Sequence, residues 1–337
     1  MSYKSSGVDT SAADNWVEGI QKKLGAQQLL SGVGDYAAVY EMNKEELLAT
    51  SCDGIGTKIL WSLDGHGSAK ALAQDLIAMN VNDVLCTGAT PKLFLDYLAC
   101  SGKEVLVEGS FLKNFIHGLI EVCAEHGQIL AGGETAQMPD LYKGDNFDAA
   151  GFSVGFLKKN EFIRFSNLKP GMPVYGWKSA GPHSNGFSWL RKIFDTSKDA
   201  AFITEHLMAP TEIYISRFLQ ARSLIESTLE SKKDNSLVAA YHITGSGLLN
   251  LLRSQSSVGF DLNLWPMELP IWIQEIQKRT KASATELFST FNCGFGFLFA
   301  TEKVLSAEQV ESLGLTELGK TTNTFEVNIP NFDVTLS

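Results

Sequence analysis

The chain has 337 residues, 44% apolar and 20% charged, with 30 glycines and a formal net charge of −10. That length exceeds what one hydrophobic core ordinarily organises and predicts two domains. The composition excludes a disordered chain, and the negative charge argues against a surface built to neutralise nucleic-acid phosphates. A small anionic substrate stays open, because a pocket needs only two or three local cations. Cys52, Cys86, Cys100, Cys123 and Cys293 are odd in number and widely spaced, without a C-x-x-C pair. Neither a disulfide framework nor a zinc knuckle is expected, and a reducing cytosol is the natural reading. No leader-like apolar core or membrane-length apolar run is seen, so no membrane association is expected.

Residues 47–52 form an apolar run that stops at Asp53-Gly54 and predict a buried strand feeding a loop. A helix is expected from the N-cap Ser68 to about Leu85. In it Leu72, Leu76 and Met79, and Ile77, Val81 and Val84, recur at helical spacing, while Asp75, Asn82 and Asp83 share another stripe. Residues 93–99 read as a strand with one acid, Asp96, inside it. Ser110 caps a second helix ending at His126-Gly127, and residues 128–131 lead as a strand into Gly132-Gly133-Glu134. Phe152, Val154 and Phe156 alternate with small residues, as in a half-buried strand. The polar link 158–171 follows, and the boundary between domains 1–160 and 161–337 is placed near it. Beyond it come a strand at 174–178, the loop GPHSNG, a helix at 187–194 and a longer helix after Pro210-Thr211. A strand at 238–243 opens into Gly245-Ser246-Gly247 and a short helix, and 294–300 reads as the final strand. Strands and helices alternate in both halves, which predicts an α/β or α+β fold of two similar lobes.

No Walker-type phosphate loop is present. Gly32 to Ala37 fits G-x-G-x-x-A but follows QQLLS rather than a clear strand, so a dinucleotide site is not expected. The strongest local feature is Asp53-Gly54-Ile55-Gly56-Thr57-Lys58. Its glycines let backbone approach a ligand, Asp53 can hold a hard cation, and Lys58 can meet phosphate oxygens. Taken alone it is also an ordinary turn with solvated ends. Asp83 lies in an almost wholly apolar segment, where a carboxylate is costly unless paired or bound to a cation. Gly132-Gly133-Glu134-Thr135 reads as a glycine pair at a strand end that puts a carboxylate on a tight exposed turn. Three such acids with Lys58 make the kit for magnesium-bridged phosphoryl transfer. In Gly181-Pro182-His183-Ser184-Asn185-Gly186, His183 lies just before a helix, where free N–H groups favour anions. His66, His117, His126 and His206 are read as surface or packing residues, and His242 as a secondary candidate.

Together these segments resemble the aminoimidazole ribonucleotide synthetases (phosphoribosylformylglycinamidine cyclo-ligases) over nearly the whole chain. The matching segments are SYKSSGVD, DGIGTK, DLIAMNVND, FLDY and GGETAQMP, then LKPG, GPHSNGFS, LMAPTEIY, HITG and TFNCGFG. The resemblance implies a two-lobed mixed α/β (α+β) fold whose N-terminal lobe gives strands to a β-barrel shared in a homodimer. It implies a cytoplasmic, ATP- and Mg²⁺-dependent ring closure of a phosphoribosyl amidine, with no nucleic acid or membrane as partner. ATP is then expected at Asp53, Gly54, Gly56, Thr57, Lys58, Gly132, Gly133, Glu134 and Thr135, and the metal at Asp53, Asp83 and Glu134. Substrate is expected at His183, Ser184 and Asn185, with His183, Lys58 and Asp83 as catalytic residues.

The chain departs from the family pattern in two places. Residues 31–39, SGVGDYAAV, look more like the GDDAAV segment of the superfamily's kinase and selenophosphate branches. Asp35 is thus either a further metal ligand or a turn acid. Residues 245–250, GSGLLN, stand where the cyclases read GGG followed by an E-N pair. These departures keep open a small-molecule kinase and a non-catalytic nucleotide-binding paralogue.

Overall fold

A computed structural model describes residues 7, 10–24, 29–227, 237–253 and 257–337. The SYKSSGVD match lies, apart from Gly7, outside the described residues. Helix α1 (Thr10–Leu24) is followed by strands β1 (Leu29–Ser31), β2 (Ala38–Glu41) and β3 (Glu46–Gly54), then helices α2 (Lys58–Leu63) and α3 (Ala69–Leu85). Strand β4 (Thr90–Cys100), helix α4 (Phe111–Glu125) and strands β5 (Ile129–Gln137) and β6 (Phe147–Lys158) complete a six-stranded sheet ordered β1-β2-β3-β6-β4-β5.

After the link come β7 (Pro173–Lys178), α5 (Phe187–Ile193), α6 (Ala200–Phe202), α7 (Ile215–Ser227), β8 (Leu237–His242) and β9 (Gly259–Asp261). The chain ends with α8 (Ile271–Thr280), α9 (Ala284–Phe288), β10 (Phe295–Thr301), α10 (Ala307–Ser312), β11 (Thr316–Thr322), β12 (Val327–Ile329) and β13 (Val334–Leu336). Its seven-stranded sheet is ordered β13-β12-β9-β11-β7-β10-β8. The strand expected to be final is β10, and three more follow it. Their sequence signal is weak, because β11 (TELGKTT) mixes glycine with charge and β12 and β13 are three residues each.

The helix caps are local and legible. Ser68 accepts from Ala71 N at 3.0 Å and Ser110 from Lys113 N at 3.1 Å, each satisfying an otherwise unpaired first-turn donor. Helix α3 has no continuous polar face and is buried along most of its length. It packs on β3 and β6 of the first sheet and on α7 and β8 of the second half. Its Leu72, Leu76 and Ile77 share one cluster with Trp177, Tyr214, Phe218 and Phe297. The two sheets therefore meet through α3 in a common core. On the other side of the first sheet, Tyr40, Cys52, Phe152 and Phe156 are exposed.

Candidate active site

The polar residues of α3 fasten the extended segment 209–214 of the second half. Lys58, at the start of α2, is 1% exposed, and its Nζ lies 2.9 Å from Asp75 Oδ1 and 2.8 Å from Oδ2. It also donates to Ala209 O at 2.8 Å, so the ammonium is held by a carboxylate and a backbone carbonyl. Asp75 Oδ1 accepts from Thr211 N and Thr211 Oγ1, both at 2.7 Å. Gln74 donates to Thr211 O at 2.8 Å, and Asn82 takes Tyr214 N at 3.1 Å while donating to Glu212 O at 2.8 Å. Burial pushes the Lys58 ammonium down, against the pull of Asp75. The structure places Lys58, expected at phosphate oxygens, with its ammonium against Asp75 and Ala209 inside the fold.

About two turns beyond Asp75 on α3, Asp83 comes near the carboxylate of Asp53. Asp53 closes β3, its N–H donating to Asn80 Oδ1 at 2.8 Å and its Oδ1 accepting from Gly54 N at 2.7 Å. Burial, with the neighbouring charge of Asp83 added, pushes its carboxyl up to about 6. Burial also raises Asp83, opposed chiefly by its bond to His242, whose Nδ1 is 2.8 Å from Asp83 Oδ1. His242 Nε2 lies 3.4 Å from the Asn82 amide nitrogen, so Nε2 accepts and Nδ1 donates to the carboxylate.

The loop between β7 and α5 supplies the facing wall. His183 is fully buried with a left-handed φ of 61°, and neither ring nitrogen has a hydrogen-bond partner among the described residues. The same holds for Asn185 Nδ2. An unpaired buried polar atom costs about 1–3 kcal/mol, so three in one loop mark a place for a polar occupant. Burial first, with the nearness of His242 and of the Lys58 ammonium added, holds the His183 imidazole well below its ordinary range. It is neutral near pH 7, with one nitrogen free to donate to an occupant and the other free to accept.

Gly296 on β10 makes room for that ring, because a Cβ there would collide with the imidazole and the Tyr214 hydroxyl. Gly296→Ala is expected to destabilise by about 1–3 kcal/mol. A wild-type denaturant midpoint would contradict this packing.

Loop 53–58 meets loop 181–186 directly. Thr57 Oγ1 is 3.1 Å from Ser188 Oγ, and Ser184 Oγ is 3.1 Å from Thr211 Oγ1. A Cβ on Gly56 would lie 3.8 Å from Ser184 O, and one on Gly245 would lie 3.7 Å from Asn185 Oδ1. Asp53, Gly54, Gly56, Thr57, Asp83, His183, Ser184 and Asn185 thus line one junction between the two halves.

The remaining candidates lie elsewhere. Gly132, Gly133, Glu134 and Thr135 were expected on a tight turn; they lie inside β5, an exposed edge strand. Asp53, Gly151, Asp96 and Gly133 are successive register partners across β3, β6, β4 and β5. Glu134 belongs to the next row, with Gly54, Ala150 and Tyr97. It projects from the opposite face, three strand spacings or about 14 Å from Gly54. Asp35 Oδ2 accepts from Ser31 Oγ at 2.9 Å and Gly32 N at 3.0 Å, which makes it a turn acid. Among the described residues no group of three or more His, Cys, Asp or Glu is arranged around a metal position. Of the four acids expected at the metal, Asp53 and Asp83 lie near one another and Glu134 and Asp35 lie apart from them.

Sequence reasoning passed over Asn80 and Thr211 and left Asp75 and Asn82 as stripe residues. The available signal was a set of polar side chains inside an almost wholly apolar helix.

The AIR synthase related protein N-terminal domain family matches residues 34–157, and the corresponding C-terminal domain family matches residues 169–329. A phosphoribosylformylglycinamidine cyclo-ligase of Cupriavidus metallidurans is 36% identical over 322 residues, covering 90% of this chain and 87% of that protein. Among solved structures, AaThiL complexed with AMPPCP and TMP superposes with a TM-score of 0.65 at 17% identity, over 95% of this chain and 93% of that one. T. maritima PurL complexed with ATP gives 0.57 at 14% identity, over 88% of this chain and 44% of that one. These two share the fold. With both domains matched and more than a third of the residues identical along most of its length, the chain belongs to the phosphoribosylformylglycinamidine cyclo-ligase family.

Proposed function

We propose that this chain closes the imidazole ring of aminoimidazole ribonucleotide, using formylglycinamidine ribonucleotide and ATP in de novo purine synthesis. The observation that carries the reading is the junction itself: buried His183 and Asn185 keep unpartnered polar atoms in the loop that meets the 53–58 loop, whose Asp53 lies near Asp83, in a chain of this family. A formamide oxygen is a poor leaving group. Phosphoryl transfer to it converts it to a good one; the amidine nitrogen then attacks the carbon, the C–O bond breaks, and phosphate departs as a proton is lost. Holding the two substrate ends together contributes an effective molarity of about 10⁵ M or more.

In this reading the backbone of Gly54 and Gly56 and the hydroxyl of Thr57 border the nucleotide phosphates. Asp53 and Asp83 are the acids fit for magnesium, since both are raised by burial and a cation would relieve their mutual repulsion. Bound there, the ion supplies neutralisation of phosphate charge. His183, as a neutral imidazole, hydrogen-bonds the formyl oxygen or the phosphate formed on it, and Ser184 and Asn185 orient the amidine. Asp35 uses one carboxylate oxygen in its own turn, accepting from Ser31 and Gly32.

His183→Ala is expected to lower kcat by about 10²-fold with the fold retained. Unchanged turnover would remove His183 from the chemistry.

The exposed sheet face carrying Phe152, Phe156 and the Glu134 row is the surface on which a second copy would close a barrel. The reading includes that homodimer, and light scattering is expected to give twice the chain mass. It also includes a cytoplasmic setting, in keeping with five free cysteines and with the absence, among the described residues, of any helix long and apolar enough to cross a membrane.

A further inference from the structure

The two places where the sequence departs from its family touch each other in the fold. Tyr36 lies in the first, and Ser246 and Asn250 in the second. The Tyr36 hydroxyl reaches Asn250 O at 3.4 Å, and its ring stands edge-on to Tyr241 with centroids 6.4 Å apart. Tyr36 also packs against both large hydrophobic clusters. This contact crosses from the β1–β2 connection to the turn after β8.

Asn250 is fully buried, and its side chain gathers the turn that precedes it. Nδ2 donates to Gly247 O at 2.7 Å, to Gly245 O at 2.9 Å and, at 3.4 Å, to Thr244 O. Within that turn Ser246 has φ 73° and Gly247 φ 54°, two consecutive left-handed residues. A non-glycine residue in that region is strained and persists only where its surroundings hold it. The Asn250 amide is what holds it. A carboxylate at the same place would turn its oxygens toward three carbonyl oxygens, a repulsive arrangement in a buried site. The turn so fixed lays Gly245 against Asn185 Oδ1, opposite the end of Asn185 that has no partner.

We propose that Asn250 is a positioning residue that clamps the 244–247 turn against Asn185, and that Tyr36 ties this clamp to the first half of the chain. The clamp replaces, with amide donors, what an all-glycine turn does elsewhere by conformational freedom. It sets the orientation of Asn185 toward the amidine substrate, and to that extent rests on the proposed function.

The test uses the full-length chain and the isosteric variant Asn250→Asp, at a temperature well below the melting of both proteins. Amide hydrogen exchange over 243–251 is expected to accelerate at least tenfold in the variant at pH 8. It should return toward wild type near pH 5, where a protonated carboxyl donates again. KM for formylglycinamidine ribonucleotide is expected to rise about tenfold at pH 8, with KM for ATP within threefold of wild type. Adding Ser246→Gly should recover part of that KM, because the left-handed cost is gone. Unaccelerated exchange would overturn the clamp, whatever the turnover. Accelerated exchange with an unchanged substrate KM would overturn the positioning role. A wild-type chain that forms no aminoimidazole would instead refute the proposed function, and the exchange result would still decide the clamp.

Discussion

Asp53→Asn is expected to abolish most turnover, lowering kcat/KM by about 10³-fold, while making the protein more stable. Both effects have one source. Burial and the nearby charge of Asp83 raise the Asp53 carboxyl to about 6, well above its ordinary 3.8. The native state therefore binds that proton more tightly than the unfolded chain does. Ionised Asp53 costs stability above pH 6, and the cost fades as the pH falls from about 6 toward 4. The substitution removes it, for a gain of up to roughly 3 kcal/mol and several degrees in Tm at pH 7.5. Activity runs the other way, because the ionised pair is the form that can take a cation, so magnesium binding by the free protein should weaken as the pH drops through about 6. A variant that lost activity and stability together would show that Asp53 serves the fold rather than the site.

The second large effect concerns Lys58 and Asp75, a pair shut away from solvent on both sides. Removing one partner leaves a charge uncompensated, so Lys58→Met and Asp75→Asn should each cost about 3–5 kcal/mol in urea unfolding. The double variant should recover a substantial part of the summed loss, since neither charge remains and the amide placed at position 75 can still accept from Thr211. Below its melting temperature Lys58→Met should keep kcat within about tenfold of wild type, because the ammonium faces Asp75 and Ala209. A loss of 10³-fold or more in a folded Lys58→Met protein would return Lys58 to the phosphates. Single substitutions costing under about 1 kcal/mol would contradict the buried geometry.

Much of the local structure was legible because its causes are local. Ser68 and Ser110 announce helix starts by a hydroxyl three residues before the donor they satisfy. The alternation of Phe152, Val154 and Phe156 announces β6. The same reasoning found that Asp83 needs a partner, but the partner is His242, 159 residues away, and no sequence spacing encodes that contact. The setting of Glu134 differs for a physical reason: a glycine pair reads as a turn, whereas here it sits in an edge strand next to β4. Lys58 looked like a free cation in a glycine loop because its counter-charge belongs to the next helix. The clamp at Asn250 was visible only as two anomalies, and their adjacency comes from packing the two halves together.

The most direct measurement is a coupled assay with purified chain, magnesium, ATP and formylglycinamidine ribonucleotide, following ADP and aminoimidazole together. The account predicts one ADP for each aminoimidazole formed, with both lost in Asp53→Asn. ADP without aminoimidazole, or no turnover in the wild-type chain, would contradict it.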